Sequence, residues 1–177
     1  RQKGLNIPIV YNSGGYENTD TIKLLDGIID IYMPDFKYMS SSLSEKYSNA
    51  SNYSEIVKKA IEAMVSEVGD LEFDEDGMMK KGVLIRHMLL PGCLDDSKEV
   101  MKYLYDTYKE KVYYSIMSQY TPLAWVKDYP EINRKVTKEE YEELIDFCVD
   151  MGMENAFVQE GEAAEESFIP MFDCEGV

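Results

Sequence analysis

Residues 26–38 form the stretch that most constrains how this chain can fold. It begins with an Asp-Gly turn signal, continues through a β-branched and aromatic run, and ends in an aspartate and a lysine. A short, nearly continuous run of this composition predicts a strand buried on both faces, as in parallel sheets. Because side chains alternate along a strand, Met33, Asp35 and Lys37 should point the same way.

An acid and a base are thus predicted to share one face at the carboxyl end of a buried strand. This is the edge at which α/β barrels and open α/β sheets place their ligand sites. The alternative is an ion pair at the end of the strand that faces solvent and has no ligand.

Predicted strands and helices alternate along the rest of the chain. The strands are expected at residues 7–12, 28–34, 83–90, 112–119 and 155–159. The helices are expected at residues 19–25, 54–68, 96–108 and 137–151. Residues 35–52 are predicted to be a loop with a helical turn, residues 71–82 a protruding hairpin, and residues 168–172 a segment that packs back on the body.

Two of these helices carry sequence signals for their first residue. Asp96 with Glu99 predicts an N-cap at Asp96, and Thr137 with Glu140 forms a capping box.

The alternation predicts an α/β protein with a parallel sheet of about four or five strands and right-handed crossovers. Polar residues collect at the carboxyl ends of the strands, which is typical of part of a (β/α) TIM barrel. The length of 177 residues is enough for a single domain spanning 1–177. The opening segment has no start signal of its own, so we expect the C-terminal portion of a longer barrel.

Charge and cysteine content narrow the function classes. The net charge of −16 repels phosphate backbones and anionic lipids, so neither nucleic acid nor a membrane is an expected partner. The same acidity is also what keeps many domains soluble. The three cysteines, Cys93, Cys148 and Cys174, form no local metal motif. Their odd number and wide spacing fit a reducing cytoplasm, and Cys148 lies on the apolar stripe of a helix.

The ends of the predicted strands supply the candidate ligand-binding residues. They are Asn12, Ser13, Met33, Asp35, Lys37, Arg86, Gln119 and Tyr120. This set of neutral donors and acceptors, one carboxylate and two cations suits a zwitterionic or carboxylate-bearing small molecule. Lys37 and Arg86 could hold a carboxylate, and Asp35 could hold an ammonium or a hydroxyl group.

Other catalytic patterns are missing or weak. There is no Ser-His-Asp order, Gly-rich phosphate loop or His-carboxylate metal spacing. Hydrolysis by paired carboxylates is disfavoured because only Asp35 sits well at a strand end. The lone histidine, His87, should face the opposite side from Arg86, so a structural role is favoured over a catalytic one.

Five segments together resemble radical S-adenosylmethionine proteins, most closely the group of pyruvate formate-lyase-activating enzyme. They are residues 9–16, 30–38, 83–92, 115–122 and 168–173. The resemblance implies a partial (β/α) barrel that holds a [4Fe-4S] cluster and S-adenosylmethionine. The reduced cluster would cleave the cofactor to methionine and a 5′-deoxyadenosyl radical, which abstracts a hydrogen atom.

The resemblance also implies roles for individual residues. Lys37 and Arg86 would contact the methionine carboxylate or its surroundings. The full set of cofactor contacts would be Ser13, Asp35, Lys37, Arg86, Met117 and Gln119. A monovalent-cation site would be formed by Asn12, Ser13, Met33 and Asp35, although the activating enzyme has an acid where Asn12 stands.

One part of the family pattern is missing. The CxxxCxxC loop that binds the cluster does not occur in these residues, so the cluster ligands would lie outside this chain and the fragment alone would be inactive. The implied partners of the intact enzyme are a protein substrate such as a glycyl radical enzyme and an electron donor, flavodoxin or ferredoxin. The alternative is a non-enzymatic module that binds a carboxylate metabolite or a partner protein.

Overall fold

The sheet contains five parallel strands whose spatial order follows the chain. The structure, a computed structural model, describes residues 4–158. The strands are β1 (Val10–Ser13), β2 (Ile31–Pro34), β3 (Glu72–Phe73), β4 (Met79–Met88), β5 (Tyr113–Met117) and β6 (Ala156–Val158). β1, β2, β4, β5 and β6 lie side by side and parallel, whereas β3 pairs antiparallel with β4. The predicted α/β class and parallel sheet are confirmed.

Helices connect the parallel strands. They are α1 (Thr19–Lys23), α2 (Ser41–Ser48), α3 (Tyr53–Val68), α4 (Leu94–Tyr108) and α5 (Lys138–Asp150), with short 3₁₀ helices at Lys109–Lys111 and Ala124–Asp128. In a parallel sheet whose strand order never reverses, right-handed crossovers place every connecting helix on the same side. The sheet is therefore wound in one direction, with its helices on one face.

Alternation along β4 distinguishes the two faces. Ile85 and His87 are buried, whereas Leu84, Arg86 and Met88 are only half-buried. On β5 the buried Tyr114 donates a hydrogen bond to the backbone of α4, so the buried set faces the helices. This helix-covered face holds the hydrophobic core, while the other face lacks a helical layer in the part of the chain that the structure describes.

The hairpin predicted at residues 71–82 is present, over residues 72–81. β3 and β4 form its arms, and Gly77 lies in its turn with a φ of 75°. Pairing with β3 extends β4 back to Met79, ahead of the predicted start at Val83. Conversely β1, β2, β5 and β6 are shorter than predicted, because they pair with a neighbouring strand over fewer residues. β1 also starts later than predicted, at Val10, and ends one residue later, at Ser13.

The prediction for residues 35–52 was wrong, because α2 occupies eight residues of that segment. The prediction of Asp96 as an N-cap was also wrong, since α4 begins earlier, at Leu94. The Asp96 carboxylate instead accepts hydrogen bonds from the backbone N–H groups of Met39 and Ser40, at 3.0 and 2.7 Å. A side chain predicted to cap its own helix therefore binds the backbone just before α2, whose N-cap is Ser40.

The remaining helix signal is confirmed. α5 begins at the capping box, in which the Thr137 hydroxyl and the Glu140 carboxylate each accept a hydrogen bond from the other residue's backbone N–H. Cys148 lies buried on the inner face of α5, as expected. No helix within residues 4–158 is long and apolar enough to cross a bilayer. The predicted packing of residues 168–172 lies outside the described residues, as does Cys174.

Candidate functional site

A polar network lies at the carboxyl edge of the sheet, on the face without helices. Arg86, near the end of β4, points its guanidinium between Asn12 of β1 and Asp35 just beyond β2. Backbone pairing continues past β2 through a parallel bridge between Asp35 and Arg86, which sets their side chains next to each other. Three neighbouring strands therefore bring together residues separated by more than fifty positions.

The two oxygens of Asp35 bind different cations. Its Oδ1 accepts from Arg86 Nη2 at 2.6 Å and Nε at 2.8 Å, and its Oδ2 accepts from Lys37 Nζ at 2.6 Å. Arg86 Nη2 also donates to Asn12 Oδ1 at 2.9 Å. One carboxylate between two cations leaves the three side chains with a net charge of about +1 at neutral pH. This sign is opposite to that of the whole protein and suits an anionic group.

Donor capacity remains on both cations. Lys37 has three N–H protons and Arg86 has five, and Asp35 and Asn12 use only part of them. No partner of Arg86 Nη1 is found within residues 4–158. About a third of the Lys37 side chain is exposed, and a quarter of the Arg86 side chain. A carboxylate could thus bind at this edge without displacing Asp35.

Tyr53 fixes the backbone beneath this network. Its hydroxyl accepts a hydrogen bond from the backbone N–H of Lys37. It lies 3.0 Å from the carbonyl oxygens of both Gly14 and Asp35, between which its single proton is shared. The Tyr53 ring is buried at the start of α3 and stacks on Tyr16. Burial raises the pKa of the Tyr53 phenol well above its usual range, so the hydroxyl stays protonated.

The loop after β1 depends on a glycine at position 15. Gly15 has a φ of 77°, and a Cβ built there would lie 2.1 Å from the carbonyl oxygen of Asp35 and 2.7 Å from Val57. The Gly14-Gly15 pair, which has little meaning in the sequence alone, lets this loop approach the end of β2.

The other predicted cofactor residues lie at the same edge but outside the network. Ser13 Oγ accepts from the backbone of Gly15 at 3.2 Å, which is a local turn contact. Met117 is half-buried beside Met88 on the adjacent strand. Gln119 is exposed, and its side chain makes no hydrogen bond within residues 4–158. Only Asn12, Asp35, Lys37 and Arg86 are therefore joined by direct contacts.

The residues of the implied cation site lie at the same edge of the sheet. Asn12 and Met33 are register partners on β1 and β2, so the expected residues do lie close together. The side-chain oxygens of Asn12 and Asp35, however, already accept hydrogen bonds from Arg86 or Lys37. A monovalent cation would have to compete with the guanidinium, and the site remains a prediction.

His87 faces the helices, on the opposite side from Arg86, as alternation predicts. It is buried, and its Nδ1 lies 2.7 Å from the carbonyl oxygen of Phe36, to which it donates in the neutral ring. Burial lowers the pKa of His87 to about 4. Its Nε2 has no hydrogen-bond partner among the described residues. These contacts favour the structural role that we expected.

The residues here do not fit an iron–sulfur cluster. Cys148 is buried in the core and Cys93 is half-buried, and burial raises their thiol pKa values to about 12 and about 11. Cluster ligation requires several converging thiolates. No group of three metal-ligating side chains occurs within residues 4–158. Any cluster ligands would thus come from elsewhere, as the sequence already implies.

A second feature, which sequence reasoning missed, is an aromatic cleft of about 140 Å³ beside Lys37. It is lined by Lys37, Tyr38, Tyr47, Met88, Leu90, Tyr120, Trp125, Val126 and Ile132. These residues come from the segment around α2, the end of β4 and the loop after β5. The only sequence signal was the abundance of aromatic residues in loops, which does not show that they converge.

Comparison with known proteins gives one relative of unassigned activity. The uncharacterized protein MJ0674 of Methanocaldococcus jannaschii is 32% identical over 143 residues, which are 81% of this chain and 38% of that protein. The chain thus spans well under half the length of this relative. No family model matches the chain, and no solved structure matches it at a significant level.

Proposed function

We propose that this chain forms the carboxyl-terminal part of a partial (β/α) barrel in a radical S-adenosylmethionine enzyme, similar to pyruvate formate-lyase-activating enzyme. The observation that carries the proposal is the network of Asp35, Lys37 and Arg86 at the carboxyl edge of a sheet wound in one direction. These are residues that the resemblance assigns to the cofactor, and the network has the charge that its carboxylate requires.

The uncovered face of the sheet supports the barrel architecture. Parallel sheets normally have both faces covered. Here the helix-free face is half-exposed, and the edge strand β1 leaves Val10 49% exposed. Near the other edge, Phe157 packs on Tyr113 of the same face and is 55% exposed. In a barrel, side chains from the opposing strands would fill this face.

In the proposed site each charged residue has its own task. Lys37 and the free N–H groups of Arg86 would bind the methionine carboxylate in charge-assisted hydrogen bonds. Asp35 would hold both cations in place and accept a hydrogen bond from the amino group of S-adenosylmethionine. S-adenosylmethionine would be the source of the radical chemistry, with cluster ligands that lie outside the described residues. A glycyl radical enzyme as substrate and flavodoxin or ferredoxin as electron donor belong to this proposal. The described residues contribute binding and orientation.

The competing function is a module that binds a carboxylate metabolite without radical chemistry. It is favoured by the lack of a CxxxCxxC motif in these residues. Two measurements separate the alternatives. If the chain belongs to such an enzyme, the genomic sequence upstream of Arg1 should encode a CxxxCxxC motif. Typical barrel length places that motif about a hundred residues before β1. Calorimetric titration with S-adenosylmethionine should show binding, and an open reading frame that starts at Arg1 together with no binding would favour the module.

A further inference from the structure

The aromatic cleft beside Lys37 has the lining of a small binding site, next to the polar network. Tyr38, Tyr47, Tyr120 and Trp125 supply aromatic walls, and the other uncharged lining residues are aliphatic or methionine. Clefts with mostly apolar walls and a few polar groups are the usual form of small-molecule sites.

Its volume is about enough for one ring. About 140 Å³ is far below the range of roughly 300–1,000 Å³ that is typical for drug-sized ligands. A cavity of about 150 Å³, by contrast, is known to hold a single benzene molecule. Aromatic walls also favour a planar ring, through offset or edge-to-face contacts.

The charge at the cleft selects an anion over a cation. Aromatic walls by themselves can attract an ammonium group. Lys37, however, is the one charged side chain that lines the cleft. Its partner Asp35 is shared with Arg86. Glu131, which accepts a hydrogen bond from the lining residue Tyr47, is paired with Lys46, so these five charges sum to about +1. An anionic group on the ring would meet Lys37, whereas a cationic group would be repelled.

The cleft also contains an unsatisfied polar group. Tyr120 lines it, and the Tyr120 hydroxyl oxygen is buried without a hydrogen-bond partner among the described residues. Burial raises the pKa of this phenol, so it remains a neutral hydroxyl that can donate or accept. Buried polar atoms are normally paired. The Tyr120 hydroxyl has almost no solvent-accessible surface, so a ligand in the cleft reaches it only if the side chain rotates.

We infer that this cleft binds a single-ring aromatic carboxylate, with the ring between the aromatic walls and the carboxylate at Lys37. The inference goes beyond the proposed function and does not require it, because it concerns a different cavity and a different ligand. Lys37 is the only residue that both sites share.

Trp125 provides the readout. It is the sole tryptophan in the sequence, it lines the cleft, and it is 69% exposed. The protein is titrated with 4-hydroxybenzoate while tryptophan fluorescence and ligand-observed saturation-transfer NMR are recorded. Benzyl alcohol tests the ring without the charge, acetate the charge without the ring, and benzyltrimethylammonium the opposite charge. We expect 4-hydroxybenzoate to bind about tenfold or more tightly than each of these three, as a charge-assisted bond would give.

Two variants assign the contacts. Lys37→Met keeps the apolar stem and should weaken 4-hydroxybenzoate binding by roughly tenfold while leaving benzyl alcohol unchanged. Tyr120→Phe should weaken binding of the acid less than Lys37→Met does, because the Tyr120 hydroxyl is not exposed to the empty cleft. Lys98→Met is the matched control, because Lys98 is a half-buried lysine that pairs with Glu143, which does not line the cleft. Equal binding of all four probes, tighter binding of the cation, no binding of the acid, or unchanged acid affinity in a folded Lys37→Met protein would overturn the inference.

Discussion

The guanidinium of Arg86 holds one carboxylate oxygen of Asp35 while Lys37 holds the other. Arg86 Nη2 and Nε lie 2.6 and 2.8 Å from Oδ1, and Lys37 Nζ lies 2.6 Å from Oδ2. Asp35 is only 17% exposed, so both ion pairs are partly shielded from water. The carboxylate therefore orients two cations, whose remaining donors face the carboxyl edge of the sheet.

Lys37→Ala should weaken binding of S-adenosylmethionine if the proposed function is correct. A lost charge-assisted hydrogen bond costs about 1.5–3 kcal/mol, which corresponds to a roughly ten- to hundredfold lower affinity. The measurement is calorimetric titration of the intact protein, reconstituted with its cluster, with a thermal melt of the same sample.

The control for this substitution is Lys98→Ala, which removes a lysine of similar exposure that pairs with Glu143. It should leave the cofactor affinity unchanged. If Lys37→Ala binds the cofactor as well as the wild type does, the assignment of Lys37 to the carboxylate is wrong, whatever the melt shows.

Tyr53→Phe should destabilise the fold and loosen the edge of the sheet. The substitution removes the hydroxyl that contacts the backbone of Gly14, Asp35 and Lys37, and it leaves buried polar groups unpaired. We expect a loss of about 1–3 kcal/mol in the free energy of unfolding, measured by urea denaturation. Tyr16→Phe, at an exposed tyrosine, should cost less than about 1 kcal/mol. Equal losses in the two variants would contradict this account.

Gly15→Ala tests the close approach of the loop after β1 to the end of β2. The new Cβ would meet the Asp35 carbonyl oxygen at 2.1 Å, so the loop must move. Gly77→Ala is matched in φ, at 75° against 77°, but has no atom within 4 Å of the new Cβ. Gly77→Ala should lower the free energy of unfolding by about 1–2 kcal/mol through backbone strain alone, and Gly15→Ala should lower it by more. Chemical denaturation of both would show whether the difference exists.

His87 should make the stability depend on pH below neutrality. The pKa of this ring is about 4 in the folded protein, against 6.5 as its ordinary value. Between these values the unfolded chain binds a proton that the folded chain does not. The free energy of unfolding should thus fall as pH falls from about 6.5 to about 4, by roughly 1.4 kcal/mol per unit.

The matched variant is His87→Asn, whose amide can still donate to the Phe36 carbonyl oxygen but does not titrate. Urea denaturation at about pH 7 and about pH 5 should show a smaller pH-dependent loss in the variant than in the wild type. The groups that both proteins share, including the buried carboxyl of Asp96 with its raised pKa, cancel in this comparison. An identical pH dependence would show that His87 is not the source.

Local signals in the sequence determined most of the secondary structure. The capping box of Thr137 and Glu140, the turn at Gly77 and the alternation around Ile85 and His87 each act within a few residues. Such patterns depend on backbone hydrogen bonds and on which side chains can be buried. They can therefore be recognised in the sequence without knowing which distant segment packs nearby. The parallel sheet and the separation of Arg86 from His87 followed from them.

Contacts between distant segments were decided only by the tertiary structure. Asp96 looks like an N-cap in the sequence, yet it accepts hydrogen bonds from residues 56 and 57 positions away. The placement of Arg86 against Asn12, 74 positions away, depends on β1 and β4 both lying next to β2. The cleft depends on three segments that converge beside Lys37: the one around α2, the end of β4 and the one after β5. Side-chain type and spacing encode what a residue can bind, but only the packing of the sheet and its loops determines which partner comes within reach.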